Sequence, residues 1–265
     1  PICEDAWHPD VCETLAERVV LIVAEDRGEL VAGALNLIGT DATGTAALGN
    51  AMHGVFVSRS PGNTIGGLAA GAGNVISGND QYGVWIFGPE STGNVVAGNL
   101  VGTDQAGTSA ISNGVMGVRI EEAAGNTVGG TVAAARNVIS GNGKHGLGIF
   151  RGAAGGNTVQ GNLIGTDITG SAAVPNAVQG IQIFDSPDNQ IGGTSSAARN
   201  VISGNGAHGI QVRGLPGTNN VIEGNLIGTD AAGTATSEEL GNGLQGIIVS
   251  GGTNTRIGGT AAGAG

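Results

Sequence analysis

Aromatic side chains are scarce in this sequence, with two Trp, one Tyr and four Phe among 265 residues. Charged residues supply 12 %, half of the roughly 25 % of an average soluble domain. Positive charge is in particular deficit: ten Lys and Arg stand against 21 Asp and Glu, for a formal net charge of −11. A chain without basic clusters offers nothing to a phosphate backbone, which excludes nucleic acid as a partner. Long apolar runs are missing too. Val19 to Ala24 is the longest near the start and is far too short to cross a bilayer, so membrane insertion is excluded. A helical bundle is excluded by the 53 glycines, since each costs about 1 kcal/mol in a helix interior. These glycines do not recur every third residue, so the chain is not collagen. It is not a disordered tail either, because 40 % of it is hydrophobic and Val, Ile and Leu return at regular intervals.

What is present is repetition. Asn-Leu-Ile-Gly-Thr-Asp occurs at 36–41, 162–167 and 225–230, and Asn99 to Asp104 differs only by Val for Ile; the step is 63 residues. Asn-Val-Ile-Ser-Gly-Asn recurs with the same step at 74–79, 137–142 and 200–205. The last copy, ending Ile257-Gly258-Gly259, arrives three residues late, and Ser237 to Leu240 is the natural place for the insertion. Such periodicity marks a solenoid. Each 63-residue unit divides into two halves, and a short strand opens each half: Val55–Val57, Val84–Ile86, Val118–Ile120, Leu147–Ile149, Ile181–Ile183, Ile210–Val212 and Ile247–Val249. Each half holds three β-like runs separated by Gly and Asn turns. Alternation at period two turns one residue inward and the next outward. Stacked three-strand turns describe a parallel β-helix of about seven coils, with aliphatic files inside. Two asparagine files accompany them, one from Asn63 to Asn220 and one from Asn74 to Asn225. Stacked amides bond to the equivalents above and below.

The NTIGG, NVISGN and GNLIGTD motifs resemble those of bacterial right-handed parallel β-helix repeat proteins, of the secreted or surface type within the pectate-lyase-like superfamily. The resemblance covers about 36–265. It implies an all-β, right-handed solenoid and an extracellular or cell-surface location. Residues 1–35 fall outside the repeat and are expected to cap it. Asp10 and Glu13 match a capping box for a helix over 11–18, and Val19–Glu25 with Glu29–Leu37 reads as a hairpin. Residues 17–41 separately resemble a hairpin of a peptidoglycan-bridge-type acyltransferase family, without any catalytic motif of that family. Cys3 and Cys12, the only cysteines, are spaced to permit a disulfide in an exported cap. The alternative is a metal pair with His8, which leaves zinc one ligand short. Beyond Gly265 the earlier copies would continue, so the array reads as cut within a coil, with further repeats or a subunit expected at that edge.

Chemistry is sought on the outward positions of the opening strands. They run Phe56, Trp85, Arg119, Gly148, Gln182, Gln211, Ile248 and, two residues on, Ser58, Phe87, Glu121, Phe150, Phe184, Arg213, Ser250. All four phenylalanines and Trp85 lie there. Rings flanked by Arg and Gln suit stacking on sugars with hydrogen bonds to hydroxyls, so Phe56, Trp85, Phe87, Phe150, Gln182, Phe184 and Gln211 are the expected polysaccharide- or partner-binding residues. The structural alternative is a ladder of rings that stabilises the sheet. A polysaccharide lyase or glycoside hydrolase would work on the same face, with Arg119, Glu121, Glu122, Arg151, Asp185 and Arg213 as candidates, although no paired carboxylates of hydrolase type stand out. Asp41, Asp104, Asp167 and Asp230 recur in Gly-Thr-Asp loops. They are candidate calcium ligands, one carboxylate per loop, or the anchors of Asx turns. No other cofactor is expected. His53, His145 and His208 fill a turn position shared with Tyr82, Met116, Gln179 and Gln245.

Overall fold

In the computed structural model, residues 35–152, 155–214, 219–234 and 238–263 are described, together with the backbone of 22–23. The Cys3–Cys12 pair, the helix expected over 11–18 and most of the expected cap lie outside these residues. The chain winds through three sheets in turn, each paired in parallel with the coils before and after it. The first sheet runs Val55–Ser58, Tyr82–Phe87, Met116–Glu121, His145–Phe150, Ile181–Phe184, Ile210–Arg213 and Ile247–Ser250, with Ile22–Val23 at its edge. The second contains seven short strands from Thr64–Gly66 to Arg256–Ile257, and the third seven from Leu37–Ile38 to Leu226–Ile227. This is a right-handed parallel β-helix of about seven coils, the hand that nearly all parallel crossovers take.

Register follows the repeat. Val55 pairs with Val84, Val84 with Val118, Leu147 with Ile181 and Ile181 with Ile210. The inward aliphatics of all three sheets make one core that runs the length of the solenoid. Each fully buried side chain contributes about 1.5–3 kcal/mol, but only because the neighbouring coil covers it.

Three asparagine ladders hold the corners. In the first, Asn94 Nδ2 donates to Asn126 Oδ1 at 3.0 Å. In the second, Asn99 Nδ2 donates to Asn137 Oδ1 at 3.1 Å. The third, through Asn50, Asn79, Asn113, Asn142, Asn176, Asn205 and Asn242, is bonded throughout at 2.8–3.0 Å. The sequence expectation included only the first two.

The Gly-Thr-Asp loops explain why the repeat spans two coils. Leu100, Val138, Leu163, Val201 and Leu226 point outward from the third sheet and form a second apolar cluster. A loop folds over this row in every second coil. Gly107 and Gly170 adopt φ of +69° and +70°, and a Cβ placed on them would come 3.4 and 3.2 Å from Leu100 and Leu163 Cδ2. Successive loops also touch: Gln105 N donates to Gly44 O at 2.9 Å and Ile168 N to Gly107 O at 2.9 Å. The insertion in the last repeat precedes Leu240, whose carbonyl accepts from Gly204 N as Ile111 accepts from Gly78 and Val174 from Gly141.

Of the expected hairpin of 19–25 with 29–37, most lies outside the described residues, and its last residue, Leu37, is corrected to the third sheet. Ile22–Val23 lies parallel to Val55–Phe56 in the first sheet, whereas Leu37–Ile38 opens the third sheet beside Val75–Ile76. Leu37 and Ile38 belong to the Asn-Leu-Ile-Gly-Thr-Asp repeat, and in every copy that motif occupies the third sheet.

Candidate functional site

Strand alternation puts the candidate rows on the outer face of the first sheet. Phe56 pairs with Trp85 and Ser58 with Phe87, Trp85 with Arg119 and Phe87 with Glu121, and Phe150 with Phe184. The aromatics form two groups rather than one row. On the first two coils Phe56 lies 4.6 Å from Trp85, and Trp85 lies 5.2 Å from Phe87, between ring centroids. His53 joins them, stacked on Tyr82 at 4.9 Å and edge-on to Trp85 at 4.8 Å. The Phe56, Tyr82, Trp85 and Phe87 rings are half-buried against one another and His53 is buried among them, which suits contacts of about 0.5–1.5 kcal/mol beyond area burial.

His53 and Tyr82 reach this face because the strand phase slips at a glycine. Strict alternation from Trp85 would turn Gly83 outward and Tyr82 inward. Yet a Cβ on Gly83 would meet Val101 Cγ1 at 2.8 Å and Asn113 Nδ2 at 2.9 Å, both in the interior. Gly83 therefore faces in together with Val84, and Tyr82 is left outside. Gly54 does the same for His53. The sequence signal for this slip is the Gly that opens each strand.

The middle coils hold a charged cluster. Arg119 Nε donates to Glu121 Oε2 at 2.9 Å, and Arg151 Nη1 lies 3.4 Å from Glu121 Oε1. Each carboxylate oxygen thus has its own cation. Glu121 is only 6 % exposed, and truncating one partner of a buried pair is strongly destabilising. The Arg119 guanidinium also lies 4.3 Å from the Phe150 ring centroid and 5.2 Å from that of Tyr82. Phe150 is expected as an exposed platform, but it is 9 % exposed. The cause is Gly148. The Phe150 ring folds back into the hollow where a side chain would stand, so that a Cβ on Gly148 would clash with its edge at 2.2 Å.

Farther along, Arg213 lies 5.8 Å from the centroid of Phe184, and Asp185 N donates to Arg213 O at 3.1 Å. Gln182 Nε2 and Gln179 Nε2 both donate to Gln211 Oε1, at 3.1 and 3.4 Å. The catalytic candidates thus divide between two places, Arg119, Glu121 and Arg151 in one and Asp185 and Arg213 in the other. Glu122 is exposed, with φ of +57°.

His145 accepts from Gln179 N through Nδ1 at 3.3 Å. Burial first, then the charge of Lys144, lowers its pKa to about 4. Burial, then Arg119, lowers that of His53. Both imidazoles are neutral at neutral pH.

The four loop aspartates turn their carboxylates on their own loops. Asp41 Oδ1 accepts from Thr45 N at 2.9 Å and Ala46 N at 3.1 Å, and Asp104 Oδ1 accepts from Thr108 N at 2.8 Å and Ser109 N at 3.1 Å. Asp167 accepts from Ser171 N at 3.0 Å and Thr169 Oγ1 at 2.8 Å, and Asp230 from Thr234 N at 2.8 Å. Hydrogen bonding, led by Thr43, holds the Asp41 carboxyl below its ordinary range. Among the described residues, no three His, Cys, Asp or Glu gather into a group that could hold a metal ion.

Two hollows among the described residues lie elsewhere in the surface. One of about 350 Å³ is bordered by Leu35, Leu100, Val138 and Ile168, and one of about 460 Å³ by Leu48–Ala51 and Asp80. Neither is lined by a residue of the outward rows. Among the described residues, no helix is long and apolar enough to cross a membrane.

These features define a right-handed parallel β-helix with an aromatic and charged outer face. A scan against protein-family models finds no match, and no curated protein matches the chain. Among solved structures, it is similar to the periplasmic alginate epimerase AlgG, at 17 % identity and a TM-score of 0.43, over 75 % of this chain and 42 % of that one. A single-substitution mutant of that epimerase gives 19 % identity and a TM-score of 0.45, over 77 % and 47 % of the two chains. The chain spans less than half the length of these proteins, and at such identity the likeness concerns the fold alone.

Proposed function

We propose that this protein is an extracellular or cell-surface β-helix scaffold that binds a polysaccharide through the outer face of its first sheet. One observation carries the reading. The solenoid has two outward rows rich in apolar side chains, and its own loops cover the row on the third sheet, while the row on the first sheet gathers Trp85 and every phenylalanine. Rings at the coil spacing of about 4.8 Å suit a chain of sugars laid along the axis, with Gln182 and Gln211 beside them for hydroxyls.

The test is binding of the purified chain to immobilised polysaccharides, compared with a Trp85→Ala, Phe87→Ala variant. Retention by the parent and its loss in the folded variant supports the reading, and equal retention of the two removes it. An enzymatic reading, as a polysaccharide lyase or glycoside hydrolase, is favoured by one feature, the enclosed Glu121 between Arg119 and Arg151. Release of unsaturated or reducing ends from a polysaccharide, abolished in Glu121→Gln, would establish it in place of simple binding.

A further inference from the structure

Three polar side chains on this face enclose atoms that have no hydrogen-bond partner among the described residues. Gln179 is 8 % exposed and its Oε1 has no partner, although its Nε2 is bonded. His53 is 4 % exposed and neither ring nitrogen is partnered; nor is Trp85 Nε1 beside it. A neutral imidazole carries one donor and one acceptor, an indole a donor only, and an amide oxygen is an acceptor. The unmatched set therefore contains donors and acceptors together. Buried polar groups ordinarily have partners, so these atoms define the complement that a ligand would bring. A hydroxyl both donates and accepts. A carboxylate or sulfate only accepts, so it would leave Gln179 Oε1 and the bare imidazole nitrogen facing negative charge.

Two of the cations on this face point the same way. Arg119 and Arg151 are both committed to Glu121, and the chain as a whole is at −11, a field that repels polyanions. The unmatched atoms lie in the first two coils and the fifth. At about 4.8 Å per coil, His53 and Gln179 are separated by roughly 19 Å along the axis, the reach of an oligosaccharide rather than a single sugar.

Resting on the polysaccharide-binding reading above, we propose that the ligand class is a neutral, polyhydroxylated glycan, with His53, Trp85 and Gln179 as its hydrogen-bonding residues. Because these atoms are enclosed, sugar reaches them as the covering side chains turn aside, and binding changes the emission of Trp85.

Native affinity electrophoresis separates the outcomes, with gels containing galactomannan or mixed-linkage β-glucan and, in parallel, alginate or polygalacturonate. The expected result is retardation by a neutral polymer, weakened about fivefold in Gln179→Met, the scale of one lost hydrogen bond. The same neutral polymer shifts the tryptophan emission of the parent but not of Trp85→Phe. Retardation by the acidic polymers alone overturns the neutral class and leaves polysaccharide binding standing. Retardation by none of the four overturns both.

Discussion

On the third sheet the outward aliphatic residues lie beneath the aspartate loops. On the first, the outward aromatics lie beneath one another and beneath Arg119. The two faces belong to the same coils and obey the same alternation, so the difference is not one of secondary structure. The third face is completed locally: each loop is closed by its own Asp, glycine lets it approach the leucine below, and successive loops bond to each other. The first face has rings, ion pairs and amides, and some of its polar atoms remain without partners. A self-covered face contributes stability. A face left with unmatched polar atoms is where a ligand can add contacts the chain does not supply.

Truncation should separate the two faces most sharply. Leu163→Ala, under its loop and fully buried, should cost about 2–5 kcal/mol, read from urea unfolding. Trp85→Ala removes a half-buried ring and should cost clearly less while abolishing polysaccharide retention. Equal costs without loss of binding would make the aromatic cluster ordinary packing and end the distinction.

Opening a loop should convert one face toward the other. Asp167→Ala removes the acceptor for Ser171 N, Ala172 N and Thr169 Oγ1. The expected loss is about 1–3 kcal/mol, with increased binding of a hydrophobic dye as Leu163 is uncovered. No dye response would show that the loop is held without its carboxylate.

Filling the hollow beneath Phe150 tests the first face from the other direction. Gly148→Ala should expel the ring, which is the movable partner in that clash. The expected cost is about 1 kcal/mol or somewhat more, and a newly raised ring should tighten polysaccharide retention. Unchanged retention with Phe150 exposed in a crystal structure of the variant would show that this ring is no part of the binding surface.

Acid should reach the faces at different pH. His145 titrates at 6.5 when unfolded and at about 4 in the fold. Between those values the unfolded chain binds the extra proton, so stability falls as pH drops through that window and levels below it. His145→Gln, which matches Gln179 and Gln245 at this position, should flatten the window. On the third face, burial of Asp167 opposes ionisation, but hydrogen bonds from Thr169, Ala172, Ser171 and Gly170 outweigh it and lower its pKa from 3.8. Its contribution is complete above 3.8 and is lost only as pH falls through the lower folded value. Coincident acid transitions, measured by thermal melts across pH, would contradict this order.

Much of this architecture was legible in advance because a repeat reports its own register. Val84, Val118 and Leu147 stand at equivalent places in their coils, and in a solenoid equivalent places stack. The third asparagine ladder is not legible in the sequence because four of its seven members follow the loops in changing surroundings, Gly-Asn50-Ala, Ser-Asn113-Gly, Pro-Asn176-Ala and Gly-Asn242-Gly, where no common motif marks them. The burial of Phe150 is not legible in the sequence because alternation gives direction, not cover. Its burial depends on the absent side chain of Gly148 one strand position away and on Arg119 from the preceding coil.

The sequence alone determined the coil, its three parallel sheets, the aliphatic interior and which residues turn outward, since these follow from periodicity and from glycine and asparagine at the corners. Only the tertiary structure decided which outward residues remain accessible, which carboxylates are already spoken for and which polar atoms lack partners. Those properties arise between coils, from side chains some thirty residues apart whose contacts no local pattern encodes.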